Sequence, residues 1–211
     1  MTKSDKKKRA AFVEEKLREM YPDAECALRY DGDPWRLLVM GRLSAQCTDA
    51  RVNIVCEELF RKYPNAQAMA NADVSDVERI VYSCGVYKVK ASNIVEFSKI
   101  IVNDFAGNVP DNMDDLLTLP GVGRKIANLI LGDIYGLPAI VADTHCIRIS
   151  NRLSLADSKT PEKVERALSE IVEPSRSADF CHRLVTFGRE ICSSRSPKCS
   201  ECPFSDIGCK I

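Results

Sequence analysis

Leu119-Pro120-Gly121-Val122-Gly123-Arg124-Lys125-Ile126-Ala127-Asn128 lies between two stretches of helical periodicity. Two glycines around one apolar residue permit a tight helix-to-helix turn with positive φ. The backbone N–H groups of such a turn point outward at the positive end of the next helix, a natural receptor for phosphate. Val122 is expected to plug the turn into the core. A lone Gly-x-Gly is a weak signal, because most are mere turns. The full run, followed by Arg-Lys and an apolar helix, is far more specific. It reads as a helix-hairpin-helix, a device for sequence-independent contact with a DNA backbone, and assigns Gly121, Val122, Gly123 and Arg124 to DNA.

Lys125 starts the second helix of that hairpin. Its plainer role is one more phosphate contact, as for most lysines near DNA. The sharper role is a nucleophile. A helix N-terminus disfavours an ammonium, and a neutral amine can attack the C1′ of a sugar to form a Schiff base. Asp143, in Val141-Ala142-Asp143-Thr144-His145, stands where an N-cap residue would. Capping is the simpler reading. A carboxylate there can also balance an oxocarbenium-like sugar or accept a proton.

Working outward, nearly every segment repeats its apolar residues at helical spacing. The expected helices span 11–21, 34–43, 49–63, 91–105, 125–134, 144–153, 161–172 and 178–192, with a short one at Leu116-Leu117. Pro34–Leu43 is almost wholly apolar and reads as a central buried helix with Pro near its first position, so Trp35 is expected in the core. Strand-like alternation is nearly absent. The fold class is all-α, with about ten helices. Lys6-Lys7-Lys8-Arg9 reads as a solvated tail.

The 211 residues are 45% hydrophobic and 28% charged, with 30 basic and 30 acidic residues for a formal net charge of +0. That is an ordinary globular composition. No apolar run approaches the ~20 residues that span a bilayer. Neutrality gives no support for nucleic-acid binding, although a local basic face suffices for it. The N-terminus is charged, with no apolar signal region, which leads us to expect an intracellular protein. A prokaryotic cytoplasm, in association with the nucleoid, is the favoured compartment, with nucleus and mitochondrion as alternatives.

Ten cysteines are unevenly placed: six are scattered, and Cys192, Cys199, Cys202 and Cys209 crowd the end with gaps of six, two and six residues. Inside a cell, such clustering favours a metal site over disulfides. Zinc ribbons usually use two distant Cys-x-x-Cys knuckles. One compact segment supplying four thiolates suits a cubane [4Fe–4S] cluster better, with zinc as the alternative. The segment has little apolar content, so the group is expected to be structural and to supply its folding energy.

These residues resemble the endonuclease III family of helix-hairpin-helix DNA glycosylases. The resemblance covers nearly the whole chain. Its specific parts are Leu43-Ser44-Ala45-Gln46-Cys47-Thr48-Asp49, Gly85-Val86-Tyr87-Lys88-Val89-Lys90-Ala91, Leu119 to Asn128, Val141 to Arg148, Gly188-Arg189 and the terminal cysteines. It implies two all-α domains: a six-helix barrel at about 27–137 holding the hairpin, and a second domain from 1–26 and 138–211 holding the cluster loop at 192–209. It implies that Lys125 is the Schiff-base nucleophile, that Asp143 assists it, that Gln46 fills the gap left by an extruded base and that Val86 is a wedge. Extrusion is needed because a stacked duplex shields the sugar carbon.

The lysine implies a bifunctional enzyme acting on oxidised or ring-damaged pyrimidines in double-stranded DNA: base removal, then β-elimination 3′ to the abasic sugar. A monomer carrying a [4Fe–4S] cluster on Cys192, Cys199, Cys202 and Cys209 is expected. The last cysteine gap is six residues, one more than the family usually has. The competing readings are a lyase acting mainly on abasic sites and a non-catalytic DNA-binding iron–sulfur protein.

Overall fold

The computed structural model describes residues 1–209. Among them are eleven α-helices and no strand: α1 (Lys3–Met20), α2 (Pro34–Leu43), α3 (Asp49–Lys62), α4 (Ala66–Ala70), α5 (Val74–Val81), α6 (Tyr87–Asp104), α7 (Met113–Thr118), α8 (Arg124–Asp133), α9 (Thr144–Arg152), α10 (Pro161–Ser169) and α11 (Ser177–Glu190). The all-α expectation holds. The chain forms two compact units, Cys26–Tyr135 and Met1–Glu25 with Gly136–Ile211.

In the Cys26–Tyr135 unit, α2 is buried along its apolar run from Trp35 to Leu43. The Asp33 side chain caps it, accepting from Arg36 N–H at 3.0 Å, and Pro34 supplies a preset φ at the first turn. Trp35 is a core residue, as expected. Its indole N–H donates to Ser98 Oγ at 2.9 Å and its ring packs on Phe60. Gly41 lets α8 approach α2 closely, because a Cβ there would sit 3.3 Å from Ile126.

Two short helices went unread in the sequence, α4 and α5. Helix α4 is too short to show a stripe, whereas α5 carries one in Val74, Val77, Ile80 and Val81; both have a side-chain cap: Asn65 accepts from Ala68 N–H at 2.9 Å and Asp73 from Ser75 N–H at 2.8 Å. Helix α6 begins four residues before the expected Ala91. Its first turn has inverted polarity, with Val89 exposed and Lys90 buried, which hides the start from any periodicity argument.

In the other unit, Lys6–Arg9 is not a tail. It lies inside α1, whose start is set by a capping box: Asp5 N–H donates to Thr2 Oγ1 at 3.2 Å and Thr2 N–H to Asp5 Oδ2 at 3.0 Å. Arg9 donates to the Leu153 carbonyl at 3.1 Å, closing the end of α9. The core gathers Val13 and Leu17 of α1, Ile149 of α9, Leu168 of α10 and Phe180, Leu184 and Phe187 of α11. Gly188 lets α11 meet α9, since a Cβ would fall 2.5 Å from His145 Nδ1 and 2.8 Å from Arg148 Nη2. Among the described residues, no helix is long and apolar enough to cross a membrane.

Candidate active site and thiol loop

The run 119–123 joins α7 to α8 as a tight turn, with Val122 N–H donating to the Leu119 carbonyl at 3.1 Å. Val122 is buried, the plug expected of it. The two glycines do different work. Gly121 has φ +75°, and a Cβ on it would stand 2.4 Å from Arg42 Nε and 2.5 Å from Asn93 Oδ1. Those two atoms are themselves bonded at 3.0 Å, so the turn rests on a fixed Arg42–Asn93 brace. Gly123 has φ −104°, open space around it, and stands at the N-cap of α8, where no side chain caps the helix. Positive φ is thus needed at one glycine only. The uncapped first turn leaves the end of α8 receptive to an anion. Arg124 and Lys125 occupy that turn, both exposed.

Gln46 and Val86 belong to the same unit. Both are exposed and both adopt positive φ, 56° and 48°. For a β-branched residue this is a genuine backbone outlier. Val86 stands at the N-cap of α6 without a capping bond and is 60% exposed, beside exposed Tyr82 and Val89.

Asp143 belongs to the other unit and is the N-cap of α9: its Oδ1 accepts from Cys146 N–H at 2.7 Å. The segment before it is held by a contact the sequence did not announce. Val141 N–H donates to Cys181 Sγ at 3.3 Å, and Ala139 N–H to Ser177 Oγ at 2.9 Å. Cys181 therefore does more than fill volume. Cys146, beneath the cap, has its thiol pushed up by its hydrogen bond with Cys181 and by burial.

The terminal cysteines share one loop region, near enough for Cys192 and Cys199 to act electrostatically on Cys202 and Cys209. Burial pushes the Cys202 thiol up, and the charges of Cys192 and Cys199 add to it; Cys209 is raised in the same way, by burial and then by Cys192 and Cys202. Thiols that oppose each other's ionisation in one small region suit a cationic metal cluster, which would relieve that penalty. Among the described residues, no group of three or more His, Cys, Asp or Glu is spaced to hold a single metal ion. A cubane binds its ligands through four separate irons, so its thiolates stand farther apart than ligands of one ion.

Arginines of α9 hold the start of the loop. Arg148 donates to the Cys192 carbonyl through Nη2 at 2.9 Å, and Arg152 Nη1 donates to Ser193 O at 2.8 Å and to Cys192 Sγ at 3.2 Å. Contrary to expectation, the loop has its own apolar anchor. Phe204 is fully buried and packs edge-on against Phe187, 5.3 Å between centroids, and against Phe12 at 6.3 Å.

A lysine-bearing helix-hairpin-helix turn in one unit and a four-thiol loop in the other define a helix-hairpin-helix protein with a cluster-binding loop. Residues 39–174 match the family model described as "HhH-GPD superfamily base excision DNA repair protein". Residues 192–207 match "Iron-sulfur binding domain of endonuclease III". The chain is 40% identical over 205 residues to the endonuclease III of Synechocystis sp., covering 97% of this chain and 93% of that one. Among solved structures, it is similar to an endonuclease III in a non-covalent DNA complex, with TM-score 0.91, 36% identity and coverage of 100% of this chain and 96% of that one. It is also similar to one in a trapped covalent DNA intermediate, with TM-score 0.89, 36% identity and coverage of 96% and 93%. The chain belongs to the endonuclease III family within the HhH-GPD superfamily of base excision DNA repair proteins. The group its terminal loop carries is a [4Fe–4S] cluster.

Proposed function

We propose that this chain excises oxidised or ring-damaged pyrimidines from double-stranded DNA and then cleaves the strand at the abasic sugar. One observation carries the reading: an exposed lysine, Lys125, on the first turn of α8, behind a hairpin whose shape Gly121 and the Arg42–Asn93 brace enforce. The hairpin at Gly121, Val122 and Gly123, with Arg124, holds the DNA backbone; the Val122 N–H is spent on the Leu119 carbonyl, so Val122 serves by seating the turn rather than by donating to phosphate. That contact is independent of sequence and positions without specifying. Gln46 and Val86 enter the duplex, one filling the vacated space and the other wedging the strands apart.

Lys125 Nζ attacks C1′. The C1′–N bond to the base breaks, and the base leaves with a proton. Ring opening gives an imine between Nζ and C1′. Loss of a C2′ proton then expels the 3′ phosphate by breaking the C3′–O bond, and water hydrolyses the imine to regenerate the lysine. Asp143 supports this chemistry by stabilising the cationic sugar or accepting a proton. Cys192, Cys199, Cys202 and Cys209 hold the cluster, which supplies folding energy to the loop when bound. The relatives compared are bacterial, which supports a bacterial cytoplasm and nucleoid DNA as the setting in which the proposed monomer works.

The test is a duplex carrying one thymine glycol, incubated with the protein and borohydride. A covalent adduct that vanishes in Lys125→Ala supports base removal through a lysine imine. An adduct formed only on a preformed abasic duplex favours the lyase-centred reading. No adduct on either leaves a DNA-binding iron–sulfur protein.

A further inference from the structure

Lys90 is 1% exposed, yet no carboxylate among the described residues is its ion-pair partner. A buried ammonium is costly unless its donors are met. Here all three N–H donors have a partner: Nζ lies 2.8 Å from the Leu43 carbonyl, 2.6 Å from Ala45 and 2.5 Å from Cys84. Leu43 is the last residue of α2, and Cys84 ends the helical turn Tyr82–Cys84. One cation therefore closes two helix ends, where unmet carbonyls concentrate negative charge. Burial pulls the Lys90 ammonium below its ordinary value, with the Cys84 and Cys47 sulfurs opposing that shift. The Cys47 thiol in turn helps push the Cys84 thiol up, after burial, so the two sulfurs of these segments are neighbours.

What the two segments carry is the point. Ala45 precedes Gln46, and Cys84 is two residues before Val86. Both residues are exposed with positive φ, a strained conformation that persists only where surrounding structure over-determines it. The over-determination comes from beneath. The Lys90 side chain runs back toward the N-terminus of α6, as helical side chains do, and so reaches under both turns.

We propose that Lys90 is a positioning residue that locks the Gln46 turn and the Val86 turn into one two-pronged element for base extrusion. This rests on the DNA-intrusion roles proposed above for those two residues. An apolar side chain at position 90 would leave three carbonyls unmet and let the prongs move independently.

The test compares Lys90→Met with Lys90→Gln, which keeps two N–H donors, each checked for folding by thermal melting. In single turnovers on a thymine glycol duplex, Lys90→Met excises roughly 10- to 100-fold more slowly, and Lys90→Gln falls between it and the parent. Borohydride trapping on a single-stranded abasic oligonucleotide, which needs no extrusion, stays at the parent level. Equal losses on both substrates overturn the proposal, leaving Lys90 as general scaffolding. A parent protein that traps on neither substrate sinks the glycosylase reading itself, and this one with it. A further measurement needs no change at Lys90. Gln46→Ala and Val86→Ala, both at exposed positions, are combined in a double-mutant cycle on duplex excision. Strong non-additivity supports one coupled element, and simple additivity overturns it.

Discussion

The hairpin at 119–125 and the thiol loop at 192–209 are both irregular segments that carry function, and they are held in opposite ways. The hairpin is shaped by protein atoms alone. Gly121 takes the left-handed conformation, Val122 is buried, and the Arg42–Asn93 pair seats the turn. The thiol loop has one fully buried aromatic, Phe204, two arginines gripping its first residues, and two thiols, Cys202 and Cys209, that burial and neighbouring sulfurs push up. A phosphate-binding turn needs its shape before the ligand arrives, because preorganisation is what makes backbone amides useful. A cluster loop can take its shape from the ligand, because metal binding and folding are one process there.

The largest expected effect tests the chemical side of that contrast. Lys125→Ala should lower strand scission by roughly 10⁴-fold or more while leaving duplex affinity and thermal stability close to the parent, measured by gel shift and melting. A parallel loss of stability would mean that the lysine holds the turn together. Removing the cluster tests the other side. After chelation, limited proteolysis should cut within 192–209 while the Cys26–Tyr135 unit stays resistant. Equal resistance before and after would show that Phe204 and the arginines suffice without the metal.

Phe204→Ala should cost about 3–5 kcal/mol, the range for deleting a buried aromatic, and should speed loss of the visible iron–sulfur absorbance. A normal absorbance half-life would mean that the cluster dominates the anchor. Gly121→Ala should cost about 1–3 kcal/mol from the positive φ, with further loss from the clash on the brace, and should weaken DNA binding. Smallest is Gly123→Ala, with φ −104° and open space. Its cost should stay under about 1 kcal/mol, that of a poorer N-cap, and a larger effect would show that both glycines serve the turn's shape.

Much of the site was legible locally. The hairpin run, the Asp143 cap and the cysteine spacing depend on neighbours within a few residues, so residue order alone exposes them. What escaped has a physical pattern. Lys6–Arg9 lacks apolar periodicity, and its helix is started by a Thr2–Asp5 capping box instead. Helix α4 is too short to display a stripe, and that of α5 runs over only 8 residues. The first turn of α6 carries its polarity backwards, with Val89 outward and Lys90 inward.

The sequence by itself determined the helical class, the glycine turn with its lysine, and the thiol set. Each follows from backbone preference, periodicity or ligand spacing within one segment. Only the tertiary structure decided that Lys90 is buried beneath Gln46 and Val86, that Cys181 receives the Val141 amide, that the Arg42–Asn93 brace excludes a side chain at Gly121, and that Phe204 anchors the thiol loop. Every one of these joins residues from different segments. Whether a buried polar or aromatic group is satisfied depends on which partners the packing brings to it, and that information lies in no single stretch of chain.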